Sequence, residues 1–168
     1  SLTMSTYARF SFCRGNITRL RERPRAAIVT IANNFLIPNI GIDMEIREAG
    51  GLPLEEAVAQ KRQQDLARIL CYDTGQAVIT TSGNLPVENV LHAVIQPIMG
   101  TSSDEVFYLF EIRHILREMY HSIITVAREG NIDELLIPLI HPMCLSIDEC
   151  ITIGLHGMSE QCKQVSLN

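Results

Sequence analysis

Polar and apolar positions along this chain fall into two rhythms. Over Arg9 to Ile17 the apolar residues Phe10 and Phe12 alternate with polar neighbours until Gly15 breaks the pattern, which predicts a short strand. A turn over Thr18 to Pro24 leads into Ala26-Ala27-Ile28-Val29, an unbroken apolar run of the kind found in a parallel strand covered on both faces. Asn33-Asn34, Pro38-Asn39 and Gly41 then carry turn chemistry, so a loop leaves the carboxyl end of that strand. The spacing becomes helical over Ile42 to Ala49. Gly50-Gly51 ends this helix, and Pro53 opens a second one that runs through Leu54, Val58, Leu66 and Ile69-Leu70.

Two β-branched runs, Gln76 to Thr81 and Val90 to Val94, predict strands on either side of the turn Ser82-Gly83-Asn84-Leu85-Pro86. From Asp104 to Arg128 a wide apolar stripe (Val106, Leu109, Ile112, Leu116, Met119, Ile123) predicts the longest helix. Leu135 to Ile140 reads as a further buried strand ended by His141-Pro142. Ser146 is placed to cap a last helix through Ile147, Cys150, Ile151 and Leu155. Strands alternating with helices at these lengths predict an α/β fold of three layers, α/β/α, around a mixed and mostly parallel sheet. No repeat or linker interrupts residues 1–168, so a single domain is expected.

Composition narrows the picture. At 168 residues and 46% hydrophobic, the chain can bury one core without disulfide or metal staples. Its longest apolar runs fall far short of the roughly 20 residues a membrane helix needs. The amino terminus lacks a charged region followed by an apolar one, so an intracellular (cytoplasmic or nuclear) protein is expected. Five scattered cysteines with no C-x-x-C pair read as reduced packing residues, and Met99, Met119 and Met143 likewise as packing. A net charge of −5 argues against broad nucleic-acid attachment. Arg19, Arg21, Arg23 and Arg25 form the one basic cluster, either a solvated loop or a grip on a polyanion or an acidic protein partner. His92, His114, His121 and His141 show no converging ligand spacing, so neither a metal site nor a cofactor is expected. Cys144, near His141 and a helix start, is a candidate nucleophile; packing is the alternative reading.

Three stretches, Arg14 to Thr18, Ala27 through Asn33 and Asp43 to Gly50, and Thr74 to Thr80 with Asn84-Leu85-Pro86 and Val90 to Val94, together resemble the macro-domain family, modules that bind ADP-ribose. Arg14-Gly15-Asn16-Ile17-Thr18 is similar to the family's Gly-Asp-Ile-Thr. The region from Ala27 through Asn33 and Asp43 to Ala49-Gly50 is similar to its Ala-Ile-Val-Asn-Ala-Ala-Asn, glycine run, Val-Asp and Ala-Ala-Gly. Thr74-Gly75-Gln76-Ala77-Val78-Ile79-Thr80, Asn84-Leu85-Pro86 and Val90-Leu91-His92-Ala93-Val94 closely follow the family's Thr-Gly-Glu-Ala-x-Ile-Thr, Asn-Leu-Pro and Val-Ile-His-x-Val. The resemblance covers roughly Phe10 to Leu155.

Such a resemblance implies a ligand at the carboxyl ends of the strands, with phosphates against backbone N–H groups and helix N-termini. It implies that Asn16, with Ile17, meets the adenine, and that Asn33, Gly41, Ile42 and Asp43 hold the distal ribose and first phosphate. Ile140 and His141 then precede the second phosphate loop. In hydrolytic members an Asn and an Asp ten positions apart orient the ribose and the attacking water, the places of Asn33 and Asp43. Against these roles stand plainer ones: Asn16 as a turn residue, Asn33 as a loop residue and Asp43 as a helix-start carboxylate. Two departures weigh on activity. Pro38-Asn39-Ile40 replaces the glycine run, where Pro38 has no N–H and Ile40 adds bulk beside the ribose, and His141 to Ser146 contains no glycine. The expected protein is a divergent, non-catalytic macro domain recognising ADP-ribose or a related nucleotide, weakly or in an altered pose, with an ADP-ribosylated protein as a candidate partner. The alternatives are a ligand-dead scaffold for protein partners and, behind it, an ADP-ribosyl hydrolase. The family's last strand has no counterpart after the final helix, and the amino-terminal segment is the candidate replacement.

Overall fold

The computed structural model describes residues 10–95, 105–142 and 144–166. In chain order its elements are β1 (Arg23–Ala32), α1 (Ile42–Leu66), β2 (Ala77–Thr81), β3 (Val87–Val94), α2 (Glu105–Glu129), β4 (Glu134–Leu136) and α3 (Ile147–Ser166). The sheet order is β2-β3-β1-β4, with β1 parallel to both neighbours and β2 antiparallel to β3. Thus the carboxyl ends of β1, β3 and β4 share one edge, where the chain leaves for its helices.

Alternation along the buried strands sorts their side chains onto two faces. Ala26, Ile28, Ala32, Val78, Val90 and Val94 pack with Ile46, Leu54 and Val58 of α1. Ala27, Val29, Ala77, Leu91 and Ala93 pack with Leu116, Met119, Tyr120 and Ile123 of α2 and with Cys150 and Met158 of α3. The expected three layers follow directly. Gly51, at φ +67, kinks α1 at the predicted boundary, and Gly83, at φ +62, sits where a Cβ would lie 2.4 Å from the Gly50 carbonyl oxygen. That glycine lets the turn after β2 touch the backbone of α1.

Several expectations are corrected. Residues 10–22 form no strand, against the strand expected over Arg9 to Ile17, and residues 1–9 lie outside the described residues. Phe12 stays exposed, and the two-residue rhythm there had no sheet face to meet. The strand expected over Leu135 to Ile140 shrinks to β4, because Pro138 has no N–H to give and this edge strand pairs only with β1. Helix α1 stops at Leu66, leaving Ile69 and Leu70 exposed. Helix α3 runs past Leu155 to Ser166, and Ser146 Oγ accepts from the Glu149 N–H at 3.1 Å as a cap. Met99 and Met143 lie outside the described residues.

Candidate functional site

The loop from β1 to α1 occupies the shared carboxyl edge, and its apolar packing is slight. Leu36 is buried, whereas Phe35, Ile37 and Pro38 are exposed and Ile40 is 95% exposed. Hydrogen bonds hold it instead. Asn33 Oδ1 accepts from the N–H groups of Phe35 and Ile37, both at 3.0 Å. Asn33 Nδ2 donates to the Ile37 carbonyl at 3.0 Å and to Asn39 Oδ1 at 3.1 Å. Asn39 in turn donates from Nδ2 to the Ile31 carbonyl at 3.2 Å and from its backbone N–H to Asp43 Oδ2 at 2.8 Å.

Asp43 is 1% exposed and sits in the first turn of α1. Its Oδ1 accepts from the Thr30 hydroxyl at 2.7 Å and lies 3.6 Å from Arg47 Nε. Arg47, also buried, donates to the Leu36 carbonyl at 2.6 Å and pairs with Glu55 at 3.3 Å. A buried charge survives only when paired and hydrogen-bonded: Asp43 accepts two hydrogen bonds, and Arg47 donates from its terminal nitrogens while its Nε, at ion-pair distance from Asp43, has no hydrogen-bond partner among the described residues. Leu36 rests at φ +54, a region that branched side chains seldom occupy, and the Arg47 bond helps hold it there.

The polar seam continues across the sheet. Thr30 of β1 is in register with His92 of β3, whose Nε2 lies 2.9 Å from Thr80 Oγ1. His92 is fully buried and its Nδ1 has no partner among the described residues. Burial, with the Arg47 charge as a smaller contribution, pushes its imidazole down to about 3, so the ring is neutral.

At the start of α1, Gly41 has φ +104, carries no side-chain cap, and would meet nothing within 4 Å if it bore a Cβ. The N–H groups of this first turn therefore face an open edge, the arrangement that suits an anion. Ile40, beside Gly41, is almost fully exposed. Ile42 packs half-buried against the α1-side core.

The other expected residues are less available. Asn16 Oδ1 accepts from the Thr18 N–H at 2.9 Å and the Thr18 hydroxyl at 2.7 Å, an Asx turn that takes up the oxygen expected at the adenine. Ile17 packs against the α1-side core. Ile140 is buried on the opposite face, and His141 Nε2 donates to the Leu145 carbonyl at 2.7 Å, closing its own loop. Arg23 pairs with Glu134 at 2.8 Å and Arg25 with Asp133 at 3.0 Å, so half of the basic cluster fastens β4 to β1. An open hollow of about 300 Å³ lies elsewhere, between β2 and α2, lined by Gln76, His121, Ser122 and Thr125. No group of three or more possible metal ligands converges among the described residues. None of their helices is long and apolar enough to cross a membrane.

Asn39, Thr30 and Arg47 were not singled out from sequence. The available signals were spacing: Asn39 lies four before Asp43 and Arg47 four after it, the separation at which helical side chains and their caps meet.

The family model described as Macro domain matches residues 29–147. A macro domain-containing protein of Cupriavidus necator is 34% identical over 124 residues, 74% of this chain and 64% of its own length. An O-acetyl-ADP-ribose deacetylase of Escherichia fergusonii is 39% identical over 87 residues, 52% of this chain and 45% of its own length. The chain thus spans less than two thirds of these curated relatives. Among solved structures, the Oceanobacillus iheyensis macrodomain with ADP superposes with a TM-score of 0.70 at 22% identity, over 89% of this chain and 74% of that one. A glycine-to-valine mutant of that macrodomain with ADPR gives 0.71 at 23%, over 89% and 76%.

Proposed function

Because the chain belongs to the macro domain family, we propose that it recognises ADP-ribose, free or attached to a protein, at the carboxyl edge of β1, β3 and β4, without turning it over. The observation that carries this reading is a contrast within one loop. Gly41 leaves the first turn of α1 uncapped and open to a phosphate. The side chains of Asn33 and Asp43, which hydrolysis needs free to orient ribose and water, are committed to the loop and to Thr30 of β1. Relatives carry the name O-acetyl-ADP-ribose deacetylase, so ester cleavage is the reaction to measure against. Recognition rests on backbone N–H groups; Asn16, Ile17, Ile140 and His141, the other positions the resemblance implies, are engaged within the fold.

Calorimetry with ADP-ribose tests the reading. The parent protein gives a saturable heat. Gly41→Glu, which sets a carboxylate at the phosphate position, abolishes it while thermal unfolding confirms a folded chain. No heat at millimolar ADP-ribose refutes recognition, and steady release of acetate from O-acetyl-ADP-ribose by the parent refutes the absence of turnover. A second reading, a scaffold for a protein partner, draws on the exposed Phe35, Ile37 and Ile40 of the same loop. It predicts no nucleotide heat and a protein partner whose binding Ile40→Asp abolishes.

A further inference from the structure

Every hydrogen-bonding atom of Asn39 except its carbonyl oxygen serves one purpose. Its Oδ1 takes the Asn33 Nδ2 donor, its Nδ2 ties to the Ile31 carbonyl at the end of β1, and its N–H falls on Asp43 Oδ2. Its neighbours Pro38 and Ile40 are exposed, so no apolar packing does the same work. The Asn39 side chain thus ties the loop to the end of β1 and takes up Asn33 Nδ2, while the contact with Asp43 is made by the Asn39 backbone N–H that this tie holds in place.

We propose that Asn39 is a positioning residue that keeps Asn33 and Asp43 in an unproductive state, an internal substitute for the ribose hydroxyl and water they would otherwise bind. This deepens the reading above and rests on it. Turnover is then latent rather than lost. With the Asn39 carboxamide gone, Asn33 Nδ2 regains a free hydrogen and the loop loses its tie to the Ile31 carbonyl, so the backbone N–H of residue 39, which both variants keep, is no longer held on Asp43 Oδ2. Asp43 Oδ2, with Oδ1 still held by the Thr30 hydroxyl, can then orient a water onto the acetyl carbonyl of O-acetyl-ADP-ribose. Addition of water and cleavage of the ester C–O bond give ADP-ribose and acetate, with one proton released.

The test compares the parent with Asn39→Gly and Asn39→Ala; the second keeps a residue with ordinary backbone preferences in case glycine unfolds the loop. Three readouts are taken: hydrogen exchange of the Asn33 side-chain amide by nuclear magnetic resonance, ADP-ribose heat, and acetate release. Both variants are expected to exchange that amide at least ten-fold faster and to release acetate at least ten-fold faster than the parent. Adding Asn33→Ala to Asn39→Gly removes the gain in acetate release. Unchanged amide exchange in both variants overturns the proposal. So does faster exchange with acetate release within two-fold of the parent in variants that bind ADP-ribose. Loss of ADP-ribose heat in all three proteins refutes the recognition reading instead, and amide exchange alone then decides whether Asn39 is the lock.

Discussion

His92 provides a pH dependence that can be worked out in advance. In the fold its ring is fully buried, bonded through Nε2 to Thr80 Oγ1 and within the field of Arg47, and it is held neutral down to about pH 3. In the unfolded chain it takes up a proton near its ordinary value of 6.5. The folded value is depressed, so the stability it confers is fully present above pH 6.5 and is lost as pH falls towards 3. Each pH unit in that window is worth about 1.4 kcal/mol. Between pH 7 and 4.5 the loss is therefore about 2–3 kcal/mol, a large part of the stability of a domain this size. Urea unfolding of the parent and of His92→Gln at pH 7, 5.5 and 4.5 isolates this contribution, because the carboxylates titrate in both proteins. The parent's advantage over His92→Gln should narrow by about 2 kcal/mol or more across that range. Parallel stability curves refute the reasoning, as would a His92 ring signal titrating near pH 6.

Two further outcomes follow from geometry. Thr30→Val removes the hydroxyl that donates to Asp43 Oδ1 and leaves a buried carboxylate oxygen short of a partner, which should lower stability by about 1–3 kcal/mol in urea unfolding at pH 7. Gly83→Ala places a Cβ 2.4 Å from the Gly50 carbonyl oxygen at φ +62; backbone cannot retreat as a side chain can, so a loss of more than about 2 kcal/mol is expected, and a melting temperature unchanged from the parent contradicts it.

The fold was legible where local pattern and burial agreed. Ala26 to Val29 announced a strand buried on both faces, and Gly50-Gly51 marked the kink of α1, because each signal is local and strong. The failures share one cause, the absence of a partner that sequence cannot display. Phe10 and Phe12 alternate well but meet no sheet, and Leu135 to Ile140 is apolar enough for a strand but lies on an edge interrupted by Pro138. At the site, sequence identified Asn33, Gly41 and Asp43 but not what they touch. A resemblance places residues, whereas the hydrogen bonds of Asn39 depend on a loop path that replaces a glycine run.

The distribution of buried polarity gives that loop its mechanical setting. Thr30, Asp43, Arg47, Thr80, Ser82 and His92 are the buried polar and charged residues among those described. The strand members follow the alternation of Ile28, Val78, Val90 and Val94, so they lie on the α1 side. The layer facing α2 and α3 is held by apolar packing alone among its buried members. Apolar contacts tolerate small sliding, whereas a buried carboxylate and guanidinium are fixed in direction and costly to strand without partners. Register between β1, β3 and α1 is therefore set on the side that carries the loop. A change in the α2 and α3 layer acts on global stability, and a change in the seam from Thr80 through His92 and Thr30 to Asp43 reaches the bonds that decide whether Asn33 and Asp43 are free.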